Sequence, residues 1–123
     1  MVLSLVSRLG KRIEMPFQNT GVLMIDLNGR IAFASTYFCD LVGFDHDRVP
    51  GMSCFDFAFP ADMDEARKLF EANKLPHAAP FRFRLRRWDG TAVWTDIQGS
   101  ALQTALGRVY GISATMTLAG ESN

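Results

Sequence analysis

A chain of 123 residues fits one folded domain and is short for two. Hydrophobic residues make up 48% and charged residues 21%, close to the globular average, which excludes disorder as the main state. Lys and Arg number 13, as do Asp and Glu, so the net charge is zero and lacks the positive field that nucleic acid or an anionic membrane would require of a partner. Two cysteines make no disulfide framework, which points to a reducing, cytoplasmic setting. No apolar run approaches a membrane span, and the opening MVLSLVSRLGKR has neither the basic start nor the long apolar stretch of a secretory signal.

Residues 1–14 are predicted to form an amphipathic helix, with Val2, Leu5, Val6, Leu9 and Ile13 at three- and four-residue spacing, followed by a linker at Pro16. A hairpin follows: a strand over 21–27, a turn at Asn28-Gly29 and a strand over 31–34. Val22, Leu23, Met24 and Ile25 are apolar on both faces of the first strand, so both faces are expected to be covered. Ser35-Thr36 caps a short helix that Gly43 ends. Short helical pieces lead to Pro60, and the clearest helix spans 62–73. Its signals are Asp62 as N-cap, Glu65 as capping-box partner and a stripe of Met63, Ala66, Leu69 and Phe70. A loop with two prolines reaches residue 80. A final strand over 108–118 carries Tyr110, Ile112, Ala114, Met116 and Leu118 on one face, and 119–123 is a small polar tail.

The hairpin over 81–102 has a register that can be argued. Phe81, Phe83 and Leu85 alternate with Arg82, Arg84 and Arg86, and Val93, Thr95 and Ile97 alternate with Trp94, Asp96 and Gln98. A two-residue loop at Asp89-Gly90 would set Phe83 against Asp96. A three-residue loop, Trp88 to Gly90 with Gly90 left-handed, pairs Phe81 with Ile97, Phe83 with Thr95 and Leu85 with Val93. The other face then pairs Arg82 with Asp96 as ions and Arg84 with Trp94 as a cation–π contact. Grouped strands and grouped helices make the fold class α+β with an antiparallel sheet.

In this order the motifs resemble a PAS domain over 17–118, after a 1–16 helix and linker. Gly21 to Gly29 resembles the family's first strand and turn. Leu41-Val42-Gly43-Phe44 resembles "LxGY", and Val49-Pro50-Gly51-Met52 resembles "ELxGK". Phe59-Pro60-Ala61-Asp62 resembles "HPDD", and Arg87-Trp88-Asp89-Gly90 with Val93-Trp94 resembles "RKDGxxxW". The resemblance implies a five-stranded antiparallel sheet with helices on one face, around a small cavity. It also implies a non-catalytic sensory or dimerisation module that regulates a separate output, such as a kinase or cyclase domain, in two-component or second-messenger signalling. The family often has Asn where this chain has Ser35, and often ends in "DIT" where this chain has Thr115-Met116-Thr117. That Asp commonly couples the domain to an output helix, so coupling by that route is not expected. The ending just after the last strand suggests a piece of a longer protein.

Fold alone does not assign function, so the chemistry of individual residues has to. Cys54 in Gly51-Met-Ser-Cys54 stands where the light-sensing LOV subclass carries its flavin-bonding "GRNC" cysteine. The positions that would read a flavin edge are Ser53, Ala58, Leu85, Thr95 and Ser113, almost without amides, so Cys54 is expected to be a structural thiol. Haem-binding relatives carry an axial His on the long helix, whereas His46 and His77 read as loop residues. The chain therefore reads as neither LOV nor haem-binding, with no metal and no predicted cofactor. The candidate cavity is Phe33, Phe38, Phe44, Cys54, Phe55, Phe57, Phe81, Phe83 and Ile97. It either takes a small apolar ligand or is filled by its own rings, and large Phe side chains favour filling. The cluster Arg82, Arg84, Arg86 and Arg87 reads as a solvated strand face rather than a nucleic-acid surface. Trp94 and Tyr110, with the stripe of the N-terminal helix, form the candidate homodimer interface on the outer sheet face. No catalytic arrangement or phosphate loop is present, and Asp62, Asp64 and Glu65 read as helix-start charges, so no enzyme is expected.

Overall fold

A computed structural model describes residues 19–120. The expected helix over 1–16, and with it Val2, Leu5, Val6, Leu9 and Ile13, lies outside the described residues. Five strands run β1 (Gly21–Asp26), β2 (Ile31–Ala34), β3 (Phe81–Arg86), β4 (Ala92–Gln103) and β5 (Val109–Leu118). Two α-helices, α1 (Thr36–Val42) and α2 (Met63–Ala72), lie between β2 and β3, with 3-10 turns at Cys54–Phe57 and Pro60–Asp62. The strands form one antiparallel sheet in the order β2-β1-β5-β4-β3, so the β1–β2 and β3–β4 hairpins flank β5.

The β1–β2 and β3–β4 hairpins turn the same way, as does β4–β5, which closes on Gly107. Asp26 N–H donates to Arg30 O at 2.9 Å and Gly29 N–H to Asp26 O at 3.0 Å. Arg87 N–H donates to Thr91 O at 2.8 Å and Gly90 N–H to Arg87 O at 2.9 Å. Each loop has three residues and ends on a left-handed glycine, Gly29 at φ 88° and Gly90 at φ 87°, where a β-carbon would be strained. The β3–β4 register is the one that satisfied both faces in the sequence: Phe81 opposite Ile97, Phe83 opposite Thr95 and Leu85 opposite Val93. Arg82 and Asp96 form the expected ion pair at 2.8 Å.

The expected Arg84–Trp94 contact does not form. Arg84 donates from Nε to Asp62 Oδ2 at 2.6 Å and lies 4.6 Å from the centre of the Phe59 ring. β3 is an edge strand, and a long arginine on it reaches past the edge to the start of α2. Asp62 is accordingly not the side-chain cap of α2 that its capping-box pattern predicts, because its carboxylate is turned to Arg84. Capping does hold at α1, where Ser35 Oγ accepts from Phe38 N–H at 3.3 Å and Gly43 closes the helix at φ 75°.

The core lies between the inner sheet face and the helices. Leu23, Ile25, Val93, Ile97, Ala114 and Met116 come from strands, and Phe38, Val42, Phe44, Val49 and Phe57 from α1 and the connecting segment. The outer face is not fully covered among the described residues. Met24 opposes Phe33 there, and the two are 41% and 48% exposed.

Candidate functional site

The inner face divides into two halves that use the same residue type differently. On the α1 side, rings stack edge to face in a continuous chain. Phe38 meets Phe57 at 5.3 Å, Phe57 meets Phe44 at 4.9 Å and Phe44 meets Trp88 at 5.3 Å. Phe38, Phe44 and Phe57 are all buried. On the α2 side the rings stand around a space of about 110 Å³.

Three elements build that space. The segment before the first 3-10 turn is fastened to the β1–β2 hairpin. Gly51 N–H donates to Ile31 O at 2.7 Å, Ile31 N–H to Met52 O at 2.8 Å and Cys54 N–H to Gly29 O at 2.7 Å. Ser53 then caps the turn through a capping box with Asp56, which sets Phe55 and Phe57 on its inner side. The second element is α2, whose Ala66, Leu69 and Phe70 form the stripe expected from sequence. No residue of α2 is fully buried, because that stripe faces the cavity instead of a packed core. The helix is held at its start by the Arg84–Asp62 pair, while Arg86 Nη2 donates to Asp56 O at 2.7 Å. These contacts tie β3 to both ends of the connecting segment. The third element is the sheet, which contributes Phe81, Phe83 and Leu85 from β3, Ile97 and Gly99 from β4, and Ile112, Ala114 and Met116 from β5.

Of the residues expected at the cavity, Phe38, Cys54, Phe55, Phe57, Phe81, Phe83 and Ile97 line it. Phe44 lies in the packed half. Phe33 is on the outer face, because its partner Met24 alternates with the inward Leu23 and Ile25. The rings do not fill the interior, as their bulk had suggested. Trp94 and Tyr110 are exposed, but the structure does not bring them together. Trp94 accepts from Ala119 beyond the end of β5, whereas Tyr110 lies at the start of β5, about 30 Å away at strand rise.

The cavity wall is almost wholly apolar, and among its described residues none carries a charge. Burial pushes the Cys54 thiol up to about 12, so it stays protonated near neutral pH and is a poor nucleophile. Thr95 is buried, with its hydroxyl donating to Phe83 O at 2.9 Å. The polar residue that the sequence reading missed is Asn73, at the C-terminal end of α2 and only 5% exposed. Its Nδ2 donates to Leu69 O at 2.7 Å, but its Oδ1 is buried with no partner. A buried unpaired acceptor costs about 1–3 kcal/mol. Two signals for it were present. Asn73 continues the Ala66–Leu69–Phe70 stripe by three residues, and Gly99 interrupts the Val93–Thr95–Ile97 run where a side chain would strike the Asn73 amide.

Elsewhere, His46 Nε2 lies 2.8 Å from Asp40 Oδ1 at an exposed site, and His77 is an exposed loop residue with φ 62°. No group of three His, Cys, Asp or Glu among the described residues is placed to hold a metal. No helix among them is long and apolar enough to cross a membrane.

The family model for the PAS domain matches residues 19–117. The chain belongs to the PAS domain family. Solved structures agree on the fold. A PAS domain from Colwellia psychrerythraea has 13% identity and a TM-score of 0.76, covering 99% of this chain and 100% of that one. A sensory box histidine kinase/response regulator from Burkholderia thailandensis has 16% identity and a TM-score of 0.64, covering 97% and 85%. A light-oxygen-voltage domain studied with a flavin analogue has 22% identity and a TM-score of 0.68, covering 96% and 86%. No curated protein sequence matches this chain. Membership of the PAS family, whose members are generally sensory modules, is what supports a role in signalling.

Proposed function

We propose that this PAS domain is a non-catalytic, cytoplasmic receptor module that takes a small apolar ligand in its α2-side cavity and passes occupancy to a separate output domain or partner. The carrying observation is the space of about 110 Å³ under a helix that buries no residue completely. A helix packed on a void rather than on side chains gains contacts when a ligand arrives, so its position is coupled to occupancy. An engineered apolar cavity of about 150 Å³ takes benzene, which sets the scale for the ligand at a single ring. A flavin or haem is disfavoured on the same scale and by the near absence of polar groups in the wall. Kinase and cyclase domains in two-component or second-messenger systems are the outputs that fit a sensory module of this kind.

The module is further proposed to work as a homodimer, with the N-terminal stripe of one copy on the outer sheet face of the other. Exposure of Met24, Phe33 and Trp94 supports this reading. Tyr110 stands apart from them and is not needed for it. Native mass spectrometry of freshly purified protein tests both parts. A dimer carrying a small extra mass, reduced to monomer by Trp94→Ala, is the expected result. A bare monomer that gains no mass in the presence of small aromatic compounds would overturn the proposal.

A further inference from the structure

The Asn73 carboxamide is oriented by two contacts. Nδ2 donates to Leu69 O at 2.7 Å, and the Asn73 backbone N–H donates to the same carbonyl at 3.0 Å. Turning the amide over would set two oxygens against each other, so Oδ1 is the atom that faces away from the helix end. It lies over Gly99, the one inward position of β4 where the absence of a side chain leaves room for it. The remaining described wall is hydrocarbon, rings and the protonated thiol of Cys54. The cavity thus offers one acceptor with no partner of its own, Oδ1, and no charge.

We infer that Asn73 Oδ1 is the polar determinant of ligand recognition, and that the ligand class is a compact, neutral, mainly hydrocarbon ring with one O–H or N–H donor, as in a phenol. The inference rests on the receptor reading of the cavity and adds the chemistry of its occupant. A charged ligand would leave its charge unpaired in an apolar space, since Arg84 is held by Asp62 and Arg86 by the Asp56 carbonyl. A ligand with only acceptors would leave Oδ1 unpaired and set a second acceptor beside it. A ring suits the walls because Phe55 and Phe70 already meet edge to face at 5.2 Å and Phe81 and Phe83 stand across from them.

Phenol and toluene are the probes, because they share a shape and differ only in O–H against methyl. The whole chain, labelled with 15N, is titrated with each in the wild type and in Asn73→Leu. The expected result is that the preference for phenol relative to toluene falls about tenfold in Asn73→Leu, the loss of one hydrogen bond. In the wild type, the Asn73 side-chain amide resonances are expected to shift with phenol and stay in place with toluene. If both compounds bind with the same preference in both proteins, the cavity is a receptor site and the role of Asn73 is overturned. If neither binds at millimolar concentration, the receptor reading fails and this inference with it. Should Asn73→Leu not fold, the wild-type side-chain resonances decide: a response to both compounds or to neither overturns the inference.

Discussion

The α1 half and the α2 half of this PAS domain are built from the same aromatic stock and reach opposite outcomes. Around α1, Phe38, Phe44 and Phe57 interlock edge to face, and Val42 and Val49 fill the gaps to complete burial. Around α2, Phe55, Phe70, Phe81 and Phe83 are each only partly buried and leave a cavity between them. The difference lies in the small residues. Ala58 and Ala66 line the space together with Gly99 and Ala114, which pair across β4 and β5, so small residues stand where rings would otherwise find neighbours. Composition counts the rings, but the small residues opposite them decide whether the interior is packed or open.

The largest effect should come from truncating the packed half. Phe44→Ala is expected to cost about 3–5 kcal/mol, because its buried ring is held between Phe57 and Trp88 and lies outside the α2-side cavity. Phe83→Ala, at the edge of an existing space, is expected to cost only about 1–2 kcal/mol. Urea unfolding measures both, and equal costs would erase the distinction between the halves.

Enlarging side chains should reverse the order. Ala66→Leu points into the cavity and is expected to be neutral or to stabilise by about 0.5–2 kcal/mol, while blocking small aromatic ligands. Val49→Leu enlarges a fully buried site and is expected to cost about 1–3 kcal/mol. A large penalty for Ala66→Leu would mean that the α2 half has no spare volume.

The clamp that holds α2 is tested by a double-mutant cycle. Asp62→Ala and Arg84→Ala should be strongly non-additive, since each removes the same two-point contact. Strict additivity would return Asp62 to the capping role its sequence pattern suggests. Hydrogen bonding to Asp62 also pushes the Arg84 guanidinium further above its ordinary value, so Arg84 keeps its charge in the clamp near neutral pH.

The last comparison concerns Cys54 and is confined to alkaline pH. Its folded-state value is raised by burial to about 12, so the native state holds its proton longer than the unfolded chain does. Stability from this source is complete below the ordinary thiol value and is lost as pH rises from there to about 12. Cys54→Ala should therefore lose less stability than the wild type over that alkaline window, followed by chemical denaturation at each pH. An identical decline in both proteins would show that the thiol is not buried against the cavity.

Much of the architecture was legible in the chain. Strict alternation over 81–86 and 93–98, with a glycine at the turn, leaves only one register that separates core from solvent, and the sheet adopts it. Ser35 and Gly43 bound α1 because each supplies a local interaction that needs no tertiary partner. The site was legible in part. Alternation does not place Phe33, because β1 is apolar at both parities and only the sheet itself sets Met24, and Phe33 opposite it, on the outer face. Arg84 was paired with Trp94 across the strands because sequence offers only the opposite residue, whereas a long side chain on an edge strand reaches a partner in another layer. Asn73 stands at the end of the helix predicted over 62–73, where the proline loop begins. A polar residue just past a helix ordinarily faces water, and only the approach of Gly99 turns it inward.

The most direct test of the hollow half is a benzene titration of the 15N-labelled chain, read by backbone amide shifts. Saturable shifts are expected at residues 54–58, along α2 and at Phe83 and Gly99, with Val42 and Val49 of the packed half unmoved. Shifts confined to the outer-face residues Met24, Phe33 and Trp94, or none at saturating benzene, would contradict the assignment of the α2 half as the ligand-binding part of this PAS domain.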